Sequence, residues 1–263
     1  MRIVVLIKQV PDTDDVKLDP EKGTMIREGT GNIINPLDLN ALQAAVEIKA
    51  VMKPDTSITA VSMGPLSTEY ALREAMALGA DDCLLLTDRR FAGADSWSTA
   101  KVLSCAIGEI GEVDIILAGE KATDGETGQV GPEVAAMLNI PFSTYISDIK
   151  PGENKVTVTR TVEDGYELQR IDYPCLMTVI SAINNPGMPT LEGKMRARRA
   201  AIKRMSADDL RIDEKTLGLK GSPTRVVKVT TPKKTRQTRL YSGSSIDEGI
   251  GELIEVLEAK GLL

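Results

Sequence analysis

The stretch VDIILAGEKATDGETGQVGPEVAAML, residues 113–138, joins a branched aliphatic run to a helical pattern through a loop rich in glycine. The glycines are Gly119, Gly125, Gly128 and Gly131. Their spacing matches neither the phosphate-binding pattern G-x-x-x-x-G-K-[ST] nor the dinucleotide pattern G-x-G-x-x-G. The stretch therefore predicts a strand, a loop and a helix. The loop matches no standard nucleotide-binding motif, so its ligand does not follow from the glycine spacing.

Three similar aliphatic runs precede this stretch and show little alternation, as expected for strands buried on both faces. They are RIVVLIK, SITAVSM and DCLLLT, which begin at positions 2, 57 and 82. Helical patterns lie between them, one of them opened by Asn35 and Pro36 as cap and first-turn residue. This alternation predicts an α/β fold, a mainly parallel sheet with helices on both faces, whose ligands sit at the carboxyl ends of the strands.

After about residue 140 the hydrophobic pattern changes, and apolar residues alternate with polar ones. Two strands around an Asp164-Gly165 turn predict a hairpin, added antiparallel to the same sheet. Residues from about 187 to 238 have no consistent period, so we expect an extended C-terminal arm there, followed by a last amphipathic helix. The predicted domains are therefore residues 1–186, which bind a nucleotide, and residues 187–263, which form the arm.

Composition excludes several function classes. The net charge of -6 argues against a generic nucleic-acid-binding protein. Without any histidine, Ser-His-Asp and Cys-His catalysis and the commonest zinc ligand are absent, so any chemistry is borrowed from a cofactor or another chain. Three well-separated cysteines indicate neither a disulfide framework nor a metal site. With no membrane-spanning run and no signal peptide pattern, we expect a cytoplasmic protein without catalytic side chains of its own.

The loop in the opening stretch has the composition of a phosphate site. Glycines let backbone N–H groups approach a ligand, and the following helix offers its positive end. Asp124 and Glu126 would repel a bare triphosphate, so a dinucleotide or a monophosphate fits better. The alternative is a long turn in which the glycines only meet backbone demands and the acids cap a helix.

A second candidate site is a basic run behind a proline- and glycine-rich segment, which presents Met188 and Leu191. The basic residues are Lys194, Arg196, Arg198, Arg199, Lys203 and Arg204. Charge of this kind accelerates docking to an acidic partner, and an exposed apolar tip beside it suits a protein contact. The alternative is an ordinary solvated face.

From end to end the sequence resembles the β subunit of an electron transfer flavoprotein. The resemblance is carried by VLIKQVPDT, INPLDLNALQAAVEIK, VSMGP...ALREAMALGADD, AGEKATDGETGQVGPEVAAML, PCLMTVISAINNPGMPTLEGKMRAR and GSPTRVVKVTTP. It implies an adenine-nucleotide-type α/β domain and a heterodimer with an α subunit that carries FAD and is clasped by the C-terminal arm. The family's docking segment for an acyl-CoA dehydrogenase corresponds to Leu191, Lys194, Arg196 and Arg199.

The family divides into a respiratory branch, whose β subunit holds structural AMP, and an electron-bifurcating branch, whose β subunit holds a second FAD. KATDGETGQVG resembles the short bifurcating loop. The resemblance implies that this FAD takes hydride from NADH and sends electrons to the α-subunit FAD and to a ferredoxin or flavodoxin. Two alternatives stay open: a carrier with AMP, and a flavin-free nucleotide-binding regulatory protein. The implied nucleotide-binding residues are Leu6, Asn35, Asp38, Met63, Gly64, Gly119, Lys121, Ala122, Asp124, Gly125, Glu126, Thr127, Gly128 and Gln129.

Overall fold

The first strand lies in the middle of a nine-stranded sheet, in a computed structural model that describes residues 1–12, 31–227 and 238–263. The strands are β1 (Arg2–Leu6), β2 (Gln9–Pro11), β3 (Asn32–Ile34), β4 (Ser57–Met63), β5 (Asp82–Leu86), β6 (Ile115–Gly119), β7 (Phe142–Pro151), β8 (Lys155–Val162), β9 (Gly165–Asp172), β10 (Cys175–Val179) and β11 (Lys203–Met205). The helices are α1 (Pro36–Val51), α2 (Glu69–Leu78), α3 (Ser96–Ile110), α4 (Val130–Leu138), α5 (Leu191–Arg199), α6 (Gly218–Gly221) and α7 (Ile246–Ala259).

The order of strands in the sheet is β11-β5-β4-β1-β6-β10-β7-β8-β9. After β1 the chain builds β4 and β5 on one side, then crosses to place β6 on the other side. All pairings from β11 to β7 are parallel, which confirms the mainly parallel sheet. The change of direction at β1 and β6 creates a switch point, where a crevice opens at the carboxyl ends of the strands.

Hydrophobic layers cover both faces of the sheet. Alternate residues of β1 point to opposite sides: Ile3 and Val5 join the layer beneath α1, α2 and α5, while Val4 and Leu6 join the layer beneath α3 and α4. Burial on both sides explains why these strands read as continuous aliphatic runs. The prediction of helices on both faces is confirmed.

The antiparallel addition is confirmed as well. Strands β7, β8 and β9 form a meander, and β8 pairs with β9 up to Val162 opposite Gly165. Gly165 has φ 147°, a backbone conformation that side-chain-bearing residues rarely adopt, which fits its place in the hairpin turn. The short antiparallel pair of β2 and β3 lies outside this sheet.

The segment after residue 186 differs from the predicted arm. The chain divides into two compact units, Met1–Val227 and Lys228–Leu263, so the division falls about forty residues later than the predicted boundary at 186/187. Helix α5 packs on the sheet layer through Ala197, and β11 adds a parallel strand beside β5. Helix α5 buries one residue and strand β11 is three residues long. Neither element therefore produces a hydrophobic periodicity that could be recognised in the sequence.

The second unit is described by α7 and the residues that precede it. Helix α7 has no buried residue, and Ile246, Ile250, Leu253 and Ile254 are exposed along it. Residues 228–237 of the predicted arm lie outside the described residues, so its clasp on an α subunit stays a prediction. Within the described ranges, the structure contains no helix that is long and apolar enough to cross a membrane.

Candidate functional site

The switch point brings the sequence-predicted nucleotide residues to one edge of the sheet. Strand β1 ends at Leu6, β4 at Met63 and β6 at Gly119, and β1 pairs in parallel with the other two. The turn before α1, with Asn35, lies at the same edge because its backbone N–H donates to the Lys8 carbonyl at 2.8 Å. The loop that carries the glycines, residues 119–129 and hereafter the glycine loop, leaves this edge from β6.

Asp38 ties the two central strands together at the base of the crevice. Its carboxylate accepts from the backbone N–H of Lys8 at 2.8 Å and from that of Gly119 at 3.0 Å. Burial raises the pKa of Asp38 to about 6, although these two N–H bonds act to lower it. A side chain at Gly119 would bring its Cβ within 2.5 Å of Asp38 Oδ1, so the strand end accepts only glycine.

Asn35 holds the glycine loop from the other side. Its side-chain amide donates to the Lys121 carbonyl at 2.9 Å and accepts from the Thr123 N–H at 3.2 Å, and the residue is fully buried. Asn35 is the N-cap residue of α1 and Pro36 its first residue, as predicted, but the Asn35 side chain makes no cap hydrogen bond. The side chain is turned to the loop instead, and only the Asn35 carbonyl serves the helix, accepting from Asp38 and Leu39.

Two of the three acids of the loop are paired with a lysine. Asp124 lies 2.5 Å from Lys8 Nζ, and Glu126 lies 3.5 Å from Lys121 Nζ. These two ammonium groups offset the two carboxylates that were expected to repel a triphosphate, and Glu120 is the third acid of the loop. Lys8 was not among the residues predicted to form the site, although its position two residues after the end of β1 was the signal that could have found it.

The end of the loop offers backbone donors to an anion. Glu126 and Gly128 have φ of 52° and 63°, and this left-handed conformation turns the chain into α4. In the part of the chain that the structure describes, the N–H groups of Thr127 and Gly128 meet no hydrogen-bond acceptor. Because they stand just before the positive end of a nine-residue helix, the site fits a phosphate or diphosphate group of a nucleotide.

The neighbouring loop residues are fixed within the protein. Gly125 and Glu126 both donate to the Ala122 carbonyl, at 3.4 and 2.9 Å, which closes a turn. Gln129 precedes α4, and its side chain accepts from Ser96 Oγ at 3.0 Å. Ser96 is the first residue of α3. It was not predicted as a site residue because its partner, Gln129, lies 33 positions away in the sequence.

Two of the other predicted residues have structural explanations of their own. Leu6 is buried in the layer beneath α3 and α4, so only its backbone faces the crevice. Gly64 packs so closely on Thr68 that an added Cβ would lie 2.3 Å from the Thr68 hydroxyl oxygen. Gly64 is therefore required by internal packing, whether or not a ligand approaches it. Met63 is half-buried beside it.

The predicted docking residues lie on a helix rather than in a loop. Thr190 caps α5 by accepting from the Gly193 N–H at 3.0 Å, and Leu191 is the first residue of the helix, with 77% of its surface exposed. Lys194 and Arg199 are exposed on the same helix. Arg196 differs from them, because its guanidinium donates to the Met76 and Ala80 carbonyls at 2.8 and 3.2 Å.

Two cysteines are buried in the core rather than in the crevice. Burial raises the pKa of both Cys83 and Cys175 to about 12, so each stays a neutral thiol at physiological pH. Among the described residues, no group of three or more His, Cys, Asp or Glu side chains is placed to hold a metal ion.

Comparisons with known proteins agree with this architecture. The electron transfer flavoprotein domain matches residues 22–210. The electron transfer flavoprotein subunit beta of Thermoanaerobacterium thermosaccharolyticum is 46% identical over the full length of both chains. The caffeyl-CoA reductase-Etf complex subunit CarD of Acetobacterium woodii is 41% identical, and the acryloyl-CoA reductase electron transfer subunit gamma of Anaerotignum propionicum is 37% identical, again over both full lengths. The chain belongs to the electron transfer flavoprotein family, as a β subunit.

Proposed function

We propose that this chain is the β subunit of an electron-bifurcating electron transfer flavoprotein, with the glycine loop on the adenosine diphosphate half of an FAD. One observation carries the proposal: Asn35 and Asp38 hold a short loop at the switch point, with the N–H groups of Thr127 and Gly128 before α4. The shortness of this loop resembles the FAD-binding branch. An FAD needs room for its ribityl and isoalloxazine groups beyond the AMP half, and a shorter loop would leave that room.

The residues divide into those that contact the nucleotide and those that hold the contacting backbone in place. Thr127 and Gly128 would donate to the diphosphate, and the chain near Leu6 and Met63 would border the adenosine. Asn35 and Asp38 act indirectly, because their side chains are hydrogen-bonded to backbone groups of the loop and of the strand ends.

The charge around the loop suits a dinucleotide. Lys8 and Lys121 offset Asp124 and Glu126, so the phosphates would meet backbone dipoles beside carboxylates that are already ion-paired. FAD, when bound, supplies hydride acceptance from NADH and onward transfer of single electrons. The chain itself then needs no histidine, and its residues bind, orient and shield the nucleotide.

The partners follow from the same proposal. We infer pairing with an α subunit that carries the second FAD, transfer to an acyl-CoA dehydrogenase-type flavoenzyme, and reduction of a ferredoxin or flavodoxin. The printed names of two relatives, a subunit of a caffeyl-CoA reductase-Etf complex and an electron transfer subunit of an acryloyl-CoA reductase, support the acyl-CoA side. Leu191 on α5 is the proposed contact with that flavoenzyme.

An anaerobic NADH titration of the purified αβ heterodimer tests the function. We expect NADH to bleach the flavin absorbance near stoichiometry, and to reduce ferredoxin only when the dehydrogenase and its acyl-CoA acceptor are both present. A heterodimer whose flavin NADH does not reduce would favour the carrier with structural AMP. A colourless complex that contains ATP would instead support a nucleotide-binding regulatory protein.

A further inference from the structure

Two arginines interlock α2 and α5, the helix that carries Leu191. Arg73 of α2 donates through Nη1 to the carbonyls of Ala197 and Ala200 at the end of α5, the second at 3.2 Å. Arg196 of α5 donates through Nη2 to the carbonyls of Met76 and Ala80 at the end of α2. Each guanidinium therefore donates to carbonyls at the carboxyl-terminal end of the other helix, which is the negative end of that helix dipole.

The packing between these helices is close enough to make the contact specific. An added Cβ at Gly193 of α5 would lie 2.3 Å from the Ala77 carbonyl oxygen of α2, so the backbones meet directly. Helices α2 and α5 therefore run antiparallel. Ala77 of α2 faces Gly193 of α5, whereas Arg73, one turn earlier in α2, faces residues 197 and 200 at the end of α5. Because Ala197 is the only buried residue of α5, apolar packing alone gives this helix little to fix its orientation.

A carboxylate braces one of the two arginines. Glu69 Oε1 accepts from Arg73 Nη2 at 2.7 Å and from Nε at 3.1 Å, and Glu69 Oε2 accepts from Arg204 at 2.6 Å. The Arg204 and Arg73 guanidiniums hold the pKa of Glu69 below its usual value. Glu69 thereby fixes the Arg73 rotamer and ties the start of α2 to β11.

We propose that Arg73 and Arg196 are positioning residues that hold α5 in the orientation in which Leu191 and Met188 meet the partner flavoenzyme. This inference rests on the proposed docking function. It removes Arg196 from the set of direct docking cations and leaves that role to Lys194 and Arg199. A lysine at position 196 keeps the charge, but its shorter side chain ends in a compact, strongly hydrated ammonium, which replaces the weakly hydrated guanidinium poorly at these carbonyls.

The test compares Arg73→Lys and Arg196→Lys with Arg198→Lys in the αβ heterodimer. Arg198 is the matched control, since it is exposed on α5 and, among the described residues, has no hydrogen-bond partner. For both positioning variants we expect amide hydrogen exchange at residues 191–200 to accelerate about tenfold or more, as loss of a charge-assisted contact would produce. Arg198→Lys should leave the exchange unchanged.

Steady-state transfer to an acyl-CoA dehydrogenase that the wild-type heterodimer reduces supplies the second readout. The positioning variants should raise KM for that dehydrogenase several-fold with kcat and flavin content unchanged. Unaltered exchange in both variants, or faster exchange with an unaltered KM, would overturn the proposal. Leu191→Ala run in parallel separates the two claims: if it leaves transfer unchanged, the docking function itself fails, whatever the arginine variants do.

Discussion

At the scale of single residues, the polar side chains at the switch point work mainly on the protein's own backbone. Asn35 and Asp38 were predicted as nucleotide-binding residues, and both lie at the predicted site. Their side chains, however, are hydrogen-bonded to backbone groups of Lys8, Gly119, Lys121 and Thr123. A sequence gives the residue type but not the distant partner, so ligand contact and support of the loop could not be told apart.

Asn35→Ala should weaken nucleotide binding without unfolding the chain. The change leaves the Lys121 carbonyl and the Thr123 N–H without their buried partner, which costs about 1–3 kcal/mol for an unsatisfied group and loosens the loop. We expect nucleotide affinity to fall about tenfold, as measured by fluorescence on the deflavinated heterodimer. The exposed Asn154, in the turn between β7 and β8, supplies the control Asn154→Ala. Equal affinities of the two variants would contradict the role of Asn35.

Asp38 predicts a pH dependence of stability. The folded-state pKa, raised to about 6 by burial, exceeds the ordinary value of 3.8, so the folded chain binds the proton more tightly than the unfolded chain. The stabilisation that protonated Asp38 contributes to the folded chain is fully present below about pH 4. As the pH rises through 6, the free energy of unfolding falls by about 3 kcal/mol because this contribution is lost. In urea unfolding, the free energy of unfolding of wild type minus that of Asp38→Asn should fall by about 3 kcal/mol as the pH rises over this window. A constant difference would refute the assignment.

At the scale of elements, the strand–loop–helix unit was the most predictable part. The aliphatic runs, the glycine loop and the Asp164-Gly165 hairpin all carry local signals, and all are confirmed as elements. Helix α5 and strand β11 were not predicted, because α5 buries one residue and is held by Arg73 and Arg196 rather than by a periodic face. The order of strands in the sheet likewise depends on contacts that no local pattern records.

Gly119→Ala tests the junction of β6 with α1. The new Cβ would lie 2.5 Å from Asp38 Oδ1 and 2.7 Å from Leu37 Cβ, so strand and helix must separate. We expect a loss of about 1–3 kcal/mol in the free energy of unfolding and a weaker hold on nucleotide. Gly108→Ala is the matched control, because nothing lies within 4 Å of its added Cβ in α3, and it should stabilise by about 0.5–1 kcal/mol. Similar effects at both positions would disprove the close approach.

Leu191→Ala tests the first turn of α5 as a docking element. The side chain is 77% exposed, so its removal should barely change stability or flavin content. Transfer to the dehydrogenase should fall at least several-fold, as loss of an interface anchor does. Val51→Ala, at an exposed residue at the end of α1, is the control and should leave transfer intact. Unimpaired transfer by the Leu191 variant would refute the docking role.

At the scale of the whole molecule, full-length similarity fixes the family. The proposed nucleotide site at the switch point and the exposed surface of α5 lie in the same compact unit. The identity of the nucleotide was inferred from the length of the glycine loop, by resemblance. FAD and AMP share the adenosine half that this loop would hold, so the two candidate nucleotides differ in the flavin half.

The central claim, that this β subunit holds FAD, is tested most directly by counting nucleotides in the purified αβ heterodimer. Acid release followed by chromatography gives the molar amounts of FAD and AMP per heterodimer. We predict two FAD and no AMP, with one of the two FAD released more readily from the Asn35→Ala variant. One FAD and one AMP per heterodimer would contradict it.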